Sequence, residues 1–209
     1  MNIKTVLPEG VGLEELLTQL RYLSWGASDI LLAYAKGLDP PYGFSPVLNI
    51  DDSAEGPVTA ADLAVNKWFL NGFKNKYETI NWSILSEEMV KDPTFEDGYY
   101  ASDYNWILDP LDGTKDFIAG TGEYAVQLAL LHKDRPILGL LLIPEAEELW
   151  FGVMGEGAWC EDREGNRQYP VLSKRDSFND LILIASRNHR NEKLENLLKK
   201  LPVSETKTV

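Results

Sequence analysis

The sequence predicts a mixed fold, in which an α+β domain is followed by the opening of an α/β unit. Three patterns carry this: helical spacing of apolar residues from Leu13 to about Lys36, a switch to a period of two from Tyr124, and a strand–helix–strand order after Leu181. With 209 residues, 44% of them hydrophobic, the chain can bury one substantial core, or one domain and part of another. The division expected is 1–175 for the α+β domain and 176–209 for the start of an incomplete α/β domain.

In chain order, Leu13, Leu16, Leu17, Leu20, Leu23, Ala27, Ile30, Leu31 and Tyr34 line one helix face, and Gly37 stops that helix. Asp39 to Gly56 is rich in Pro, Gly, Ser and Asp, keeps no period and reads as a loop. Thr59 then caps a second helix, with Asp62 at the third helical position, close to a capping box, and the helix runs to about Tyr77. Ile80 to Leu85 and Trp106 to Leu108 are short strand-like runs. From Tyr124 the alternation gives an antiparallel meander, turning at His132–Arg135 and again at Gly155–Gly157. Leu181 to Ala185 reads as a buried strand, Asn191 to Leu201 as a short helix, and Thr206 to Val209 as the opening of another strand.

Charge narrows the partners. Up to Asp162 there are 10 Lys+Arg against 27 Asp+Glu, which argues against nonspecific binding to nucleic acid or to an anionic membrane. Cys160 is the single cysteine, so an intrachain disulfide or a cysteine-based zinc site is excluded. The N-terminal residues have no signal-like apolar region, and no stretch approaches about 18 uninterrupted apolar residues. A reducing cytoplasm is the expected setting.

The chemistry is concentrated in two acidic turns. Asp109 and Asp112 sit three residues apart around Pro110, directly after an apolar run, and Gly113-Thr114 opens a helix whose N–H groups can face an anion. Ser86-Glu87-Glu88 ends another apolar run. Carboxylates brought together at two strand ends repel one another unless a cation lies among them, and oxygen-only donors suit Mg2+, which commonly accompanies a substrate phosphate. These residues therefore point to a magnesium-dependent phosphatase. The Glu87-Glu88 pair taken alone reads more often as solvated surface than as a ligand pair, while Asp62 reads equally as a capping residue and Lys115 equally as a solvated lysine.

Taken together, Pro57-Val58-Thr59-Ala60-Ala61-Asp62, Ser86-Glu87-Glu88 and Trp106-Ile107-Leu108-Asp109-Pro110-Leu111-Asp112-Gly113-Thr114 resemble the ordered motifs of the inositol monophosphatase superfamily. Lys115-Asp116-Phe117, Gly122-Glu123-Tyr124 and Ala185-Ser186-Arg187-Asn188-His189 resemble its 3'(2'),5'-bisphosphate nucleotidase branch. The likeness runs over nearly the whole chain, and its specificity lies in the combination of motifs.

The resemblance implies an αβαβα layered sandwich and a lithium-sensitive phosphomonoesterase of sulfur metabolism. It implies two or three Mg2+ ions, with Mn2+ able to substitute, held by Glu87, Asp109, the Leu111 carbonyl and Asp112, with Glu88 nearby or on an additional ion. It implies that Asp62 and Thr114, with Glu87, align a water for direct in-line attack. Asp112, Gly113, Thr114, Lys115, Ser186, Arg187 and His189 would contact the substrate. The expected reaction is removal of the 3'-phosphate of adenosine 3',5'-bisphosphate to give AMP. An inositol-1-phosphate or sugar-phosphate phosphatase is the alternative enzyme, and a noncatalytic phosphate-binding or scaffold module is the rival of another class.

Two departures from the family pattern stand out. Ser86 occupies a position that is more often Gly in inositol phosphatases. The later Trp-Asp motif that completes the second metal site has no counterpart, since Asp176 and Asp180 come too early and lack the Trp. The expectation is a shortened form of a longer enzyme, binding the second ion weakly and poorly active by itself. Oligomeric state is not legible.

Overall fold

Leucines spaced along one face make α1 (Leu13–Ala35) an amphipathic helix, and thirteen of its residues are buried. It ends in a reversal at Gly37, whose φ is 63°, with the Leu38 N–H donating to the Ala33 carbonyl at 2.8 Å. The computed structural model describes residues 2–47, 50–53, 56–90, 102–185 and 192–208. They fall into two compact units, Met1–Pro170 and Val171–Val209.

In the first unit, β1 (Ile50–Ser53) and β2 (Gly56–Thr59) form an antiparallel hairpin where the unpatterned composition predicts a loop. Backbone pairing needs no side-chain alternation, so the pattern there held no strand signal. At the end of β2, Thr59 caps α2 (Ala60–Tyr77) with a complete capping box: the Thr59 hydroxyl oxygen accepts the N–H groups of Ala61 and Asp62, and the Asp62 carboxylate accepts the Thr59 N–H. The two helices pack closely because Gly72 meets Leu23; a Cβ at Gly72 would lie 2.3 Å from a Leu23 methyl.

A seven-stranded sheet follows, in the order β3 (Ser83–Ser86), β4 (Tyr104–Asp112), β5 (Ala125–His132), β6 (Arg135–Ile143), β7 (Glu148–Val153), β8 (Gly157–Glu161) and β9 (Arg167–Gln168). Only β3 and β4 are parallel; the rest is the meander. Two short helices interrupt the strands, α3 (Glu87–Val90) after β3 and α4 (Thr114–Ala119) after β4. The β5–β6 connection is a two-residue loop in which Lys133 and Asp134 both take positive φ, matching the twist of the flanking strands. Val126, Leu128 and Leu130 of β5 are buried on one face with α1 and α2, while Gln127 is exposed on the other. Phe73, Tyr77, Trp82 and Trp106 close this core with edge-on and tilted ring contacts.

The second unit pairs β10 (Ile182–Ala185) with β11 (Glu205–Thr208) in parallel across α5 (Glu192–Leu198), the strand–helix–strand order expected of a parallel sheet. No helix among the described residues is long and apolar enough to cross a membrane. Cys160 is a buried free thiol, and burial raises its pKa.

Candidate active site

The acids meet because of strand register. Ser86 on β3 lies opposite Leu108 on β4, and the next residue of each is an acid, Glu87 where β3 passes into α3 and Asp109 within β4, near enough for Glu87 to act on Asp109 by charge and hydrogen bond. The carboxylates were expected on a turn beyond the strand; they lie instead within β4, on either side of a bulge. Asp109 pairs with Gln127 and Asp112 with Ala125, three residues on one strand against two on the other. In a regular strand residues three apart point to opposite faces, and the extra residue resets the alternation so that Asp109 and Asp112 can share one.

The electrostatics reflect this crowding. Asp109 is pushed up to about 7, first by burial, then by the charge and hydrogen bond of Glu87 and by the charge of Asp112, with the Leu111 N–H acting in the opposite sense. That N–H donates to Asp109 Oδ1 at 3.1 Å. Gln127 Nε2 donates to Asp112 Oδ2. Among the described residues no three His, Cys, Asp or Glu side chains stand ready around one point for a metal ion. Asp109 is instead hydrogen-bonded to Glu87. The donors nonetheless fit a hard divalent cation: three carboxylates and a carbonyl, all oxygen, with an Asp109 anion whose strain a cation would relieve.

Asp62 stands beside this group and is 1% exposed. Its Oδ2 accepts the Thr59 N–H at 2.8 Å and the Thr59 hydroxyl at 2.5 Å. Its Oδ1 lies 3.4 Å from the Thr114 hydroxyl, which also lies 3.1 Å from the Leu111 carbonyl. The capping acid thus also reaches across 52 residues of sequence to Thr114. The hydroxyl has one proton, so it serves one of these two acceptors at a time.

Gly113 makes the turn from β4 into α4 with φ at 89°, and a Cβ there would lie 2.7 Å from the backbone oxygen of Glu123. Gly113→Ala should therefore destabilise the protein by about 1–3 kcal/mol, read as a lower denaturant midpoint. The first-turn N–H groups after Gly113 have no intrahelical acceptor, and Lys115 beside them is exposed. Glu88 follows Glu87 in α3 and is half-buried. Ser186, Arg187 and His189 lie outside the described residues. Gln127 was not singled out from the sequence: its place opposite Asp109 depends on a pairing that no motif encodes.

A mixed sheet backed by two helices, with acids gathered at the ends of β3 and β4, defines a layered α/β sandwich of the phosphatase type. The chain belongs to the inositol monophosphatase family, whose profile matches residues 13–208. It is 32% identical over 194 residues to the 3'(2'),5'-bisphosphate nucleotidase CysQ of Salmonella typhimurium, covering 93% of this chain and 72% of that protein. Among solved structures it is similar to CysQ from Bacteroides thetaiotaomicron, with 26% identity, TM-score 0.60, and coverage of 89% of this chain and 69% of that one. It shares its fold with an IMPase/NADP phosphatase solved with NADP and Ca2+, at 15% identity and TM-score 0.71, over 95% of this chain and 68% of that one.

Proposed function

We propose that the protein is a Mg2+-dependent phosphomonoesterase that removes the 3'-phosphate of adenosine 3',5'-bisphosphate. The observation that carries this is that Glu87 and Asp112 both act on the half-buried Asp109, which burial first, and then the charges of its two neighbours, push up to about 7. The substrate assignment rests on the 32% identity to the CysQ nucleotidases. A phosphate dianion entering an acidic cluster is repelled, so the reading requires cations between protein and substrate.

Glu87, Asp109, Asp112 and the Leu111 carbonyl would hold Mg2+, which supplies a nucleophile at neutral pH and offsets charge on the leaving oxygen. The chain's own part is orientation. Asp62, rigidly seated at the start of α2, would accept the Thr114 hydroxyl proton in a hydrogen bond, leaving the Thr114 oxygen to accept a hydrogen bond from a water aligned for attack. The N–H groups that follow Gly113 and the Lys115 ammonium would meet phosphate oxygens, and no covalent phosphoenzyme is needed.

The test is phosphate release from adenosine 3',5'-bisphosphate, inositol 1-phosphate and a sugar phosphate, each with Mg2+ and with EDTA. Magnesium-dependent release that is weak, because the second ion is weakly held, and greatest from the nucleotide is expected. A preference for inositol 1-phosphate would move the assignment to the other enzyme, and no release from any substrate would leave a noncatalytic module. Thr114→Ala should lower kcat by about 100-fold or more while leaving KM nearly unchanged, because it removes alignment of the attacking group rather than substrate contact.

A further inference from the structure

We propose that Gln127 is a positioning residue of the cation site, holding Asp112 in its ligating orientation; this rests on the metal-dependent reading above. Gln127 stands on β5 opposite Asp109, and its side chain reaches along the bulge so that Nε2 donates to Asp112 Oδ2. Both carboxylates that β4 offers are tethered in this way. The Leu111 N–H holds Asp109 Oδ1 and the Gln127 amide holds Asp112 Oδ2. The first tether comes from the bulge itself, whereas Gln127 supplies the second from the neighbouring strand.

Asp112 needs such a tether. It is the exposed member of the pair, so without a partner its carboxylate would sample several rotamers, and ordering it would subtract from the free energy of binding an ion. A neutral amide fixes one oxygen and leaves the other to a cation, whereas an ammonium at this place would compete with the ion for the same charge. Gln127 is itself exposed on the face opposite the core, so it contributes little to packing.

The experiment is titration of the intact chain with Mn2+, followed by electron paramagnetic resonance, for the wild type, Gln127→Met and Gln127→Asn, with Tm measured alongside. Gln127→Met keeps the length and loses the donor. It should weaken Mn2+ binding by about 10–100-fold, with Tm within about 2 °C of wild type, and Gln127→Asn should recover part of the loss. Unchanged or tighter binding by Gln127→Met overturns the proposal, as does a fall in Tm that tracks the lost affinity in both variants. A wild type that binds no Mn2+ overturns the metal-dependent reading itself, an outcome distinct from a wild type that binds and a Gln127→Met that binds equally.

Discussion

Asp109→Asn should abolish the proposed magnesium-dependent phosphate release while the chain stays folded. The loss should exceed about 100-fold, since removing even an outer partner of a metal ligand costs 10–100-fold. The same substitution should stabilise the protein when metal is chelated. Asp109 is raised in the fold to about 7 from an ordinary value of 3.8, so between those pH values the native state holds a proton that the unfolded chain releases. Stability of the wild type in EDTA therefore falls as pH rises through this window and levels off above about 7. Asp109→Asn has no such proton to lose, so its Tm advantage should be smallest near pH 4 and largest above pH 7. Apparent Mg2+ affinity runs the other way, dropping roughly tenfold for each pH unit below 7 because the proton and the ion compete for one carboxylate. Parallel melts of the two proteins in EDTA, and a Mg2+ titration across pH, check both signs.

Arg21→Ala should be strongly destabilising although it lies away from the site. Glu161, at the end of β8, is 1% exposed, and Arg21 of α1 grips it with both Nε and Nη2, the latter at 3.2 Å. The Trp159 indole N–H donates to the same carboxylate at 3.1 Å, and Arg167 stands 3.4 Å away. Removing Arg21 leaves a buried carboxylate with these two partners among the described residues, at a cost of about 3 kcal/mol, near the lower end for a broken buried pair because Arg21 itself keeps some solvent contact. That corresponds to a fall of roughly 6–12 °C in Tm for a chain of this size. Glu161→Gln placed in the Arg21→Ala background should recover part of the loss, since it removes the stranded charge. If Glu161→Gln adds to the loss instead, the charge is not what Arg21 serves.

Periodicity made much of the fold legible. The leucine stripe of α1, the capping box of α2 and the alternation of the meander are local patterns, and the elements form where those patterns lie. The β1–β2 hairpin left no alternation to read, and β3 proved shorter than the apolar run Ile80–Leu85 suggested, beginning only at Ser83. The acids of the site were visible as residue types but not in their geometry. Asp109 and Asp112 share a face because of a bulge, and Glu87 meets Asp109 because of a parallel register; both arise from pairing between strands distant in sequence. Gln127 was invisible for the same reason, being one polar residue on the exposed face of an ordinary alternating strand until its partner was known. Asp62 shows the converse: its capping role was readable from spacing, and its approach to Thr114 follows from how α2 and the end of β4 come together.

The most direct measurement is the anomalous difference map of a crystal soaked in Mn2+. A peak enclosed by the carboxylates of Glu87, Asp109 and Asp112 and the Leu111 carbonyl is the result this account predicts. Manganese bound elsewhere, with Glu87 and Asp109 still closed on one another, would contradict it.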